Sequence, residues 1–272
     1  MNIEQNKTHF MNKLFKIKPM EYQKITPYPY YVIENILDDS FAKICQEEIL
    51  NLPSDMWDRY NNPFEQKYTL RDKDNFPNNC KKLFDILTSQ EIVNILSNIV
   101  GEKLYNDTSK IWWGIHKYNN GDYLDIHSDA GNHPITKQKK HLTVGIYLSY
   151  KWTEYNKGHL EIWNGDSVVN NCAKLYNCTN KILPTFNKMI MFTNTINAWH
   201  GNPEPVVIND DEKRIFLTIS YVSNKHNEEM ENKREKAFFI SRPNDPINLD
   251  KDRLRFLRAD PDKCINLYDT NK

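Results

Sequence analysis

The stretch IWWGIHKYNNGDYLDIHSDAG, residues 111–131, is where the chain changes texture. Before it, apolar residues recur at helical spacing; from it onward they fall in short alternating runs separated by Asn, Gly, Asp and Lys. The runs that follow are HLTVGIYLSY (141–150), HLEIW (159–163), KMIMF (188–192) and RIFLTISYV (214–222). Several short strands without long helices between them predict an antiparallel sandwich or open barrel over residues 111–223.

Working outward, residues 21–110 read as a helical amino-terminal support. PYPYYVIENIL (27–37) suggests an entry strand, and Asp38, Asp39 and Ser40 stand where a helix cap belongs, ahead of Phe41, Ile44, Cys45 and Ile49. A second helix is expected around Cys80 to Leu87, and a third from a Thr88/Glu91 capping box to Gly101. Residues 1–20 are polar without sustained period and read as a flexible or loosely docked leader. Residues 224–272 form a charged carboxy-terminal extension with helical spacing over 247–260, ending at Asp260-Pro261.

The chemistry is concentrated in two places, the opening stretch and NAWHG (197–201). Residues i and i+2 of a strand face one side, so His127 and Asp129 at a strand end present an imidazole and a carboxylate to one point. His200, beyond a later strand, is placed to supply a third ligand. Two imidazoles and a carboxylate on one face of an octahedral metal leave three positions open, which suits oxygen-activating iron(II) better than tetrahedral zinc. Two of those positions suit a 2-oxo acid and the third O2. His-x-Asp alone is a weak signal, equally a loop histidine beside a turn former. Arg214 opens a later strand, with Thr218 on the same face; a guanidinium pointing inward needs an anion, and a carboxylate matches its fork. Tyr147 can add a hydroxyl donor. Taken singly, a surface ion pair for Arg214 and core packing for Tyr147 fit as well. His116 and His141 lie in strands without a carboxylate at i+2, and His116 reads as structural.

The ordered set, from Tyr118 through His127-x-Asp129, IYLSYKW, KGHLEIW, NKMIMF and WHGNPEPV to RIFLTISY, resembles the iron(II)/2-oxoglutarate-dependent dioxygenase superfamily, within its prolyl 4-hydroxylase-like branch. The resemblance spans roughly residues 28–223. It implies a double-stranded β-helix (jelly roll), iron(II) held by His127, Asp129 and His200, Arg214 on the 5-carboxylate of 2-oxoglutarate, Tyr147 touching that carboxylate, Tyr118 lining the pocket and Thr218 beside the arginine. The implied reaction couples decarboxylation of 2-oxoglutarate, giving succinate and CO2, to insertion of one atom of O2 into an unactivated C–H bond. The sequence departs from the family at Lys157-Gly158-His159-Leu160, where relatives often have two glycines; Gly158 keeps the turn possible, and His159 alters the pocket rim.

The substrate is narrowed only to a polar small molecule, glycan or peptide: a sugar, an amino acid, or a peptidyl residue such as proline. The loop AGNHPITKQKKH (130–141) brings His133, Lys137, Lys139 and Lys140 close after Asp129, as candidate substrate contacts or as a solvated basic loop. Trp199, beside His200, is the aromatic candidate for substrate contact. The alternatives are a non-catalytic jelly-roll binding protein and a nucleic-acid demethylase of the same superfamily. Lys plus Arg equals Asp plus Glu at 36 each, which argues against a nucleic-acid partner. No run approaches the roughly 18 to 20 apolar residues of a membrane span, and no secretory signal is evident, so the expectation is a cytoplasmic or otherwise intracellular protein. Five cysteines without CxxC spacing are expected to be reduced thiols.

Overall fold

Alternation along the strands sends one set of side chains toward covering helices and the other into a cavity, and the computed structural model shows both sets. It describes residues 2–70, 72–169, 172–209, 212–224, 234 and 236–259. In chain order the elements are α1 (Ile3–Leu14), α2 (Pro19–Tyr22), β1 (Tyr30–Glu34), α3 (Asp39–Leu50), β2 (Asp58–Asn62), β3 (Glu65–Leu70), α4 (Asn78–Thr88), α5 (Gln90–Val100) and β4 (Tyr105–Asn106). There follow β5 (Gly114–Tyr118), β6 (Tyr123–Ser128), β7 (Lys139–Tyr147), β8 (Leu160–Gly165), β9 (Leu175–Ile182), β10 (Lys188–Thr193), β11 (Trp199–Asn202), β12 (Arg214–Ser223), β13 (Phe238–Phe239) and α6 (Leu249–Ala259).

The strands join in the order β1-β10-β7-β12-β5-β3-β6-β11-β8-β9, every pairing antiparallel. This curled half-barrel is the mainly β core that the short runs predicted. On β12, Ile215, Leu217, Ile219 and Tyr221 join one apolar cluster with Leu142, Val144 and Ile146 of β7 and with residues of α1, α3, α4 and α5. The alternate residues Arg214, Phe216, Thr218 and Ser220 line the cavity, with Thr143 and Tyr147 from β7. Gly145 interrupts the β7 series because a Cβ there would lie 2.1 Å from the Phe216 ring.

Several local expectations are met. Asp38 caps α3, accepting from the N–H groups of Ser40 (3.0 Å) and Phe41 (3.2 Å). Gly101 ends α5 at φ 74°, left-handed backbone that glycine adopts at no steric cost. Cys45, Cys80, Cys172 and Cys178 are free thiols; Cys264 lies outside the described residues.

Others need correction. The leader expected over residues 1–20 contains α1, started by an Asn2/Gln5 capping box and anchored by buried Phe10 and Leu14, with Ile17 buried just beyond. Its apolar positions are too few to stand out in a polar stretch. The support over 21–110 is not purely helical, since β1 pairs with β10 and β3 pairs with β5 and β6. The Thr88/Glu91 box does not form: Thr88 belongs to α4 and donates to the Phe84 carbonyl at 2.8 Å, while Glu91 accepts from Lys7 at 3.0 Å. Ile44 is exposed rather than on the apolar face of α3. The helix expected over 247–260 is α6; Asp260 and Pro261, its expected stop, lie outside the described residues. Among the described residues no helix is long and apolar enough to cross a membrane.

Candidate active site

His127 near the end of β6 pairs directly with His200 on β11, which brings their rings to a centroid distance of 4.4 Å. Between Leu124 and His127, β6 carries one residue more than β11 does opposite, a bulge that re-aims the strand. Gly201 permits it: a Cβ there would lie 2.6 Å from the Asp125 carbonyl oxygen. Asp129 follows β6 and places Oδ1 3.5 Å from His127 Nε2. One ligand atom from each of His127, Asp129 and His200 lies within 4.8 Å of the others, a cluster that can hold a metal ion.

The protonation chemistry fits a cation. Each imidazole donates its Nδ1–H to a backbone carbonyl at 2.9 Å, His127 to Asp125 and His200 to Ala198, leaving the Nε2 lone pair for a metal. Burial, then the neighbouring His127, pushes His200 down to about 3, so it stays neutral; Asp129 opposes this only in part. Burial also works against ionisation of Asp129, but the Lys140 ammonium beside it opposes this, and the carboxyl is held well below its usual range. Lys140 Nζ is 2.6 Å from Asp129 Oδ2, so the two carboxylate oxygens face different partners.

The triad opens into a cavity of about 720 Å³ that also reaches Arg214. The Arg214 guanidinium lies 4.6 Å from the Tyr118 ring centre and 5.1 Å from that of Tyr147. Its Nε donates to the Gly158 carbonyl at 3.0 Å, and its buried Nη1 has no hydrogen-bond partner. A buried cationic donor without a partner is costly, and an incoming carboxylate would relieve it. Burial pushes the Tyr147 hydroxyl up to about 12, with Arg214 opposing, so it remains a donor. Thr218 lines the same cavity. Gly158, at φ 65°, leaves no room for a side chain, since a Cβ would lie 2.5 Å from Val206. His159 pairs with Glu154 at 2.8 Å and does not reach the cavity wall.

Three sequence candidates for substrate contact are placed elsewhere. His133 is fully buried; its Nε2 bonds to Asp107 (3.1 Å) and Ser109 (2.9 Å), and its Nδ1 accepts the N–H groups of Ile135 and Thr136. It fastens the loop after β6 to the loop after β4. Lys137 occupies a positive-φ position in that loop, off the cavity wall. Trp199 is fully buried, donates its indole N–H to the Asp166 carbonyl at 2.8 Å and packs on Phe238. Adjacent strand residues face opposite sides, so Trp199 cannot share the face of His200.

The cavity also has walls that the sequence reading did not single out. Tyr60, Lys67 and Thr69 of the β2–β3 hairpin line it; Trp112, one of several tryptophans that the sequence offers as a stacking surface, lines it as well. His116, read as structural, lines it too and stacks on Phe216 at 6.3 Å. Its position two residues before Tyr118 on one strand was the available signal. The hairpin gave none, because DRYNNPFEQKYTL (58–70) lacks clean alternation.

Comparison with known proteins agrees with this geometry. Residues 113–222 match the model of the 2OG-Fe(II) oxygenase superfamily. No curated protein matches the chain. Among solved structures, a prolyl-4-hydroxylase from Pseudomonas putida aligns with a TM-score of 0.55 at 9% identity, covering 79% of this chain and 100% of its own. A Trichoplax adhaerens prolyl hydroxylase, solved with a hypoxia inducible factor peptide fragment, aligns at 0.53 and 14% identity, covering 81% and 91%. HygX from Streptomyces hygroscopicus, with nickel, 2-oxoglutarate and hygromycin B bound, aligns at 0.50 and 10% identity, covering 72% and 83%. At these identities the structural likeness establishes the fold alone.

Proposed function

We propose, from the match of residues 113–222 to the 2OG-Fe(II) oxygenase model, that this chain hydroxylates an unactivated C–H bond of a polar substrate. The substrate class is a sugar or glycan, an amino acid, or a peptidyl residue such as proline. His127, Asp129 and His200 hold iron(II), and Arg214 receives the distal carboxylate of 2-oxoglutarate between Tyr118 and Tyr147. The observation that carries this reading is the partnerless Nη1 of buried Arg214, in the same cavity as a cluster able to hold a metal. A lone metal cluster would fit many reactions; a buried cation waiting for an anion narrows them.

Bound iron(II), with 2-oxoglutarate and O2, supplies the oxidation, which yields succinate and CO2 and transfers one oxygen atom to the substrate. The chain's own residues bind and aim. Lys140, by taking Asp129 Oδ2, leaves Oδ1 as the carboxylate oxygen that would serve as a metal ligand. Arg214 would hold the distal carboxylate of 2-oxoglutarate in the same cavity that the triad lines. The mixed wall of Tyr60, Lys67, Thr69 and Trp112 supports a polar substrate with a ring or aliphatic face. Balanced charge over the whole chain supports a substrate other than nucleic acid.

The test is anaerobic titration of the apo-protein with iron(II) and 2-oxoglutarate, read by the weak visible charge-transfer band of the chelate. A band that is lost in His200→Ala supports the reading, and succinate release then guides a screen of peptides, amino acids and sugar derivatives. A wild-type protein that never gives the band is a jelly-roll binding protein instead.

A further inference from the structure

The strand that carries His127 is supported differently on its two sides. On one side β11 runs beside it, with His200 opposite His127. On the other, β3 pairs only with Tyr123 and Leu124, and β13 takes over, setting Phe239 opposite His127 and Phe238 opposite Ser128. Ile240 N–H donates to the Ile126 carbonyl at 2.9 Å. Without β13 the His127 half of β6 would be a sheet edge, with its register held from one side only.

Contacts from Arg234 and from α6 bind the same short segment. Arg234 Nη2 lies 3.2 Å from Ser128 Oγ and 3.4 Å from the Asp129 carbonyl oxygen. The Arg234 carbonyl accepts from the N–H groups of Gly131 (2.9 Å) and Asn132 (3.3 Å). One residue therefore holds the Ser128 hydroxyl, the Asp129 carbonyl and the main chain just after it. From α6, Lys251 Nζ and Arg255 Nη2 reach Asp125 Oδ2 at 2.7 and 3.3 Å. The carbonyl of Asp125 is the group that takes the Nδ1–H of His127. None of Arg234, Lys251 and Arg255 lines the cavity.

We propose that the carboxy-terminal segment, from Arg234 through β13 to α6, is a positioning element of the metal centre. Arg234 fixes the backbone that carries Asp129, while Lys251 and Arg255 fix the residue whose carbonyl aims His127. This rests on the reading of His127, Asp129 and His200 as the iron ligands. Partners that orient metal ligands from outside typically change metal affinity by about 10- to 100-fold when removed, and these residues stand in that relation to two of the three ligands.

The experiment uses the full chain and measures iron(II) affinity in the anaerobic titration, together with the apo-protein's melting temperature and the 2-oxoglutarate requirement at saturating iron. Arg234→Ala and the Lys251→Ala/Arg255→Ala pair are each expected to weaken iron binding by about 10-fold or more. Arg234→Lys should recover part of the loss, and the 2-oxoglutarate requirement should hold. A lower melting temperature with unchanged iron affinity is what a merely structural role gives, and it overturns the inference. Should Arg234→Ala fail to fold, Arg234→Lys and the α6 pair decide by the same readout. A band lost in His200→Ala but unaltered in these variants overturns this inference alone; a wild-type protein without the band overturns the ligand reading and this inference with it.

Discussion

The two ends of the cavity are built by different means. The Arg214 end rests on regular strands: Arg214, Phe216 and Thr218 follow one another on the inner face of β12, Tyr147 faces in from β7, and the outward residues pack under helices. The metal end rests on irregular backbone: a bulge in β6, a glycine that lets β11 approach it, and a two-residue strand from far along the chain. The difference fits what each end is proposed to bind. A carboxylate is met by a charge at a fixed depth, and a long guanidinium stem tolerates small errors of backbone. A metal requires three atoms to converge within a few tenths of an ångström, so each ligand needs its own support.

The largest effect should come from breaking the metal end directly. Asp129→Ala removes the proposed carboxylate ligand and leaves Lys140 without its carboxylate partner, and iron(II) affinity should fall by more than about 100-fold, beyond the range for outer partners. Turnover should drop to background. Full activity in this variant would identify a different carboxylate as the ligand. Arg214→Ala breaks the other end: a charge-assisted pair is worth roughly 1.5 to 3 kcal/mol, so 2-oxoglutarate binding should weaken about 10- to 100-fold while iron affinity holds. If iron affinity fell equally, the two ends would not be independent.

The glycines sharpen the comparison. Gly201→Ala would press on the Asp125 carbonyl, which is backbone and cannot move without shifting His127. Gly145→Ala would press on the Phe216 ring, a side chain beside Tyr147 at 4.6 Å. Overpacking of this kind costs roughly 1 to 3 kcal/mol. Gly201→Ala should therefore weaken iron binding, and Gly145→Ala should raise the 2-oxoglutarate requirement, each leaving the other ligand's affinity nearly unchanged in paired titrations. Crossed effects would refute the assignment of each glycine to its end.

What could be read from the sequence follows the same division. The regular end is visible as alternation: Ile215, Leu217 and Ile219 against Arg214, Phe216 and Thr218 announce both the strand and its inner face. The metal end is visible only as chemistry, through residue types and the i, i+2 spacing of His127 and Asp129. Its supports are hidden for physical reasons. Phe238–Phe239 is too short to show a period, and Arg234 is one charge among many in a strongly charged stretch, with nothing in its neighbours to mark it. Trp199 and His133 are near the proposed ligands in sequence but do not line the cavity. A side chain next to a ligand on a strand points away from it, and a loop histidine can bury itself to fasten its own loop. The amino-terminal helix escaped because two apolar positions one turn apart, Phe10 and Leu14, suffice to dock it.

The smallest expected effect tests how far the regular end depends on hydroxyl donors as opposed to charge. Tyr147→Phe keeps the ring that faces Arg214 and removes one hydroxyl, a neutral hydrogen bond worth roughly 0.5 to 1.5 kcal/mol. The 2-oxoglutarate requirement should rise about 2- to 10-fold, well below the effect of Arg214→Ala. Because burial holds this hydroxyl protonated up to about 12, the wild-type advantage over the variant should stay constant from neutral to mildly alkaline pH; it would fall only as pH approaches that value and the donor is lost. Titrations of both proteins across that range measure the ratio. A ratio that changes through the mildly alkaline region would mean that Tyr147 ionises far more easily than its burial implies, and that Arg214 alone, without a neighbouring hydroxyl donor, holds the carboxylate there.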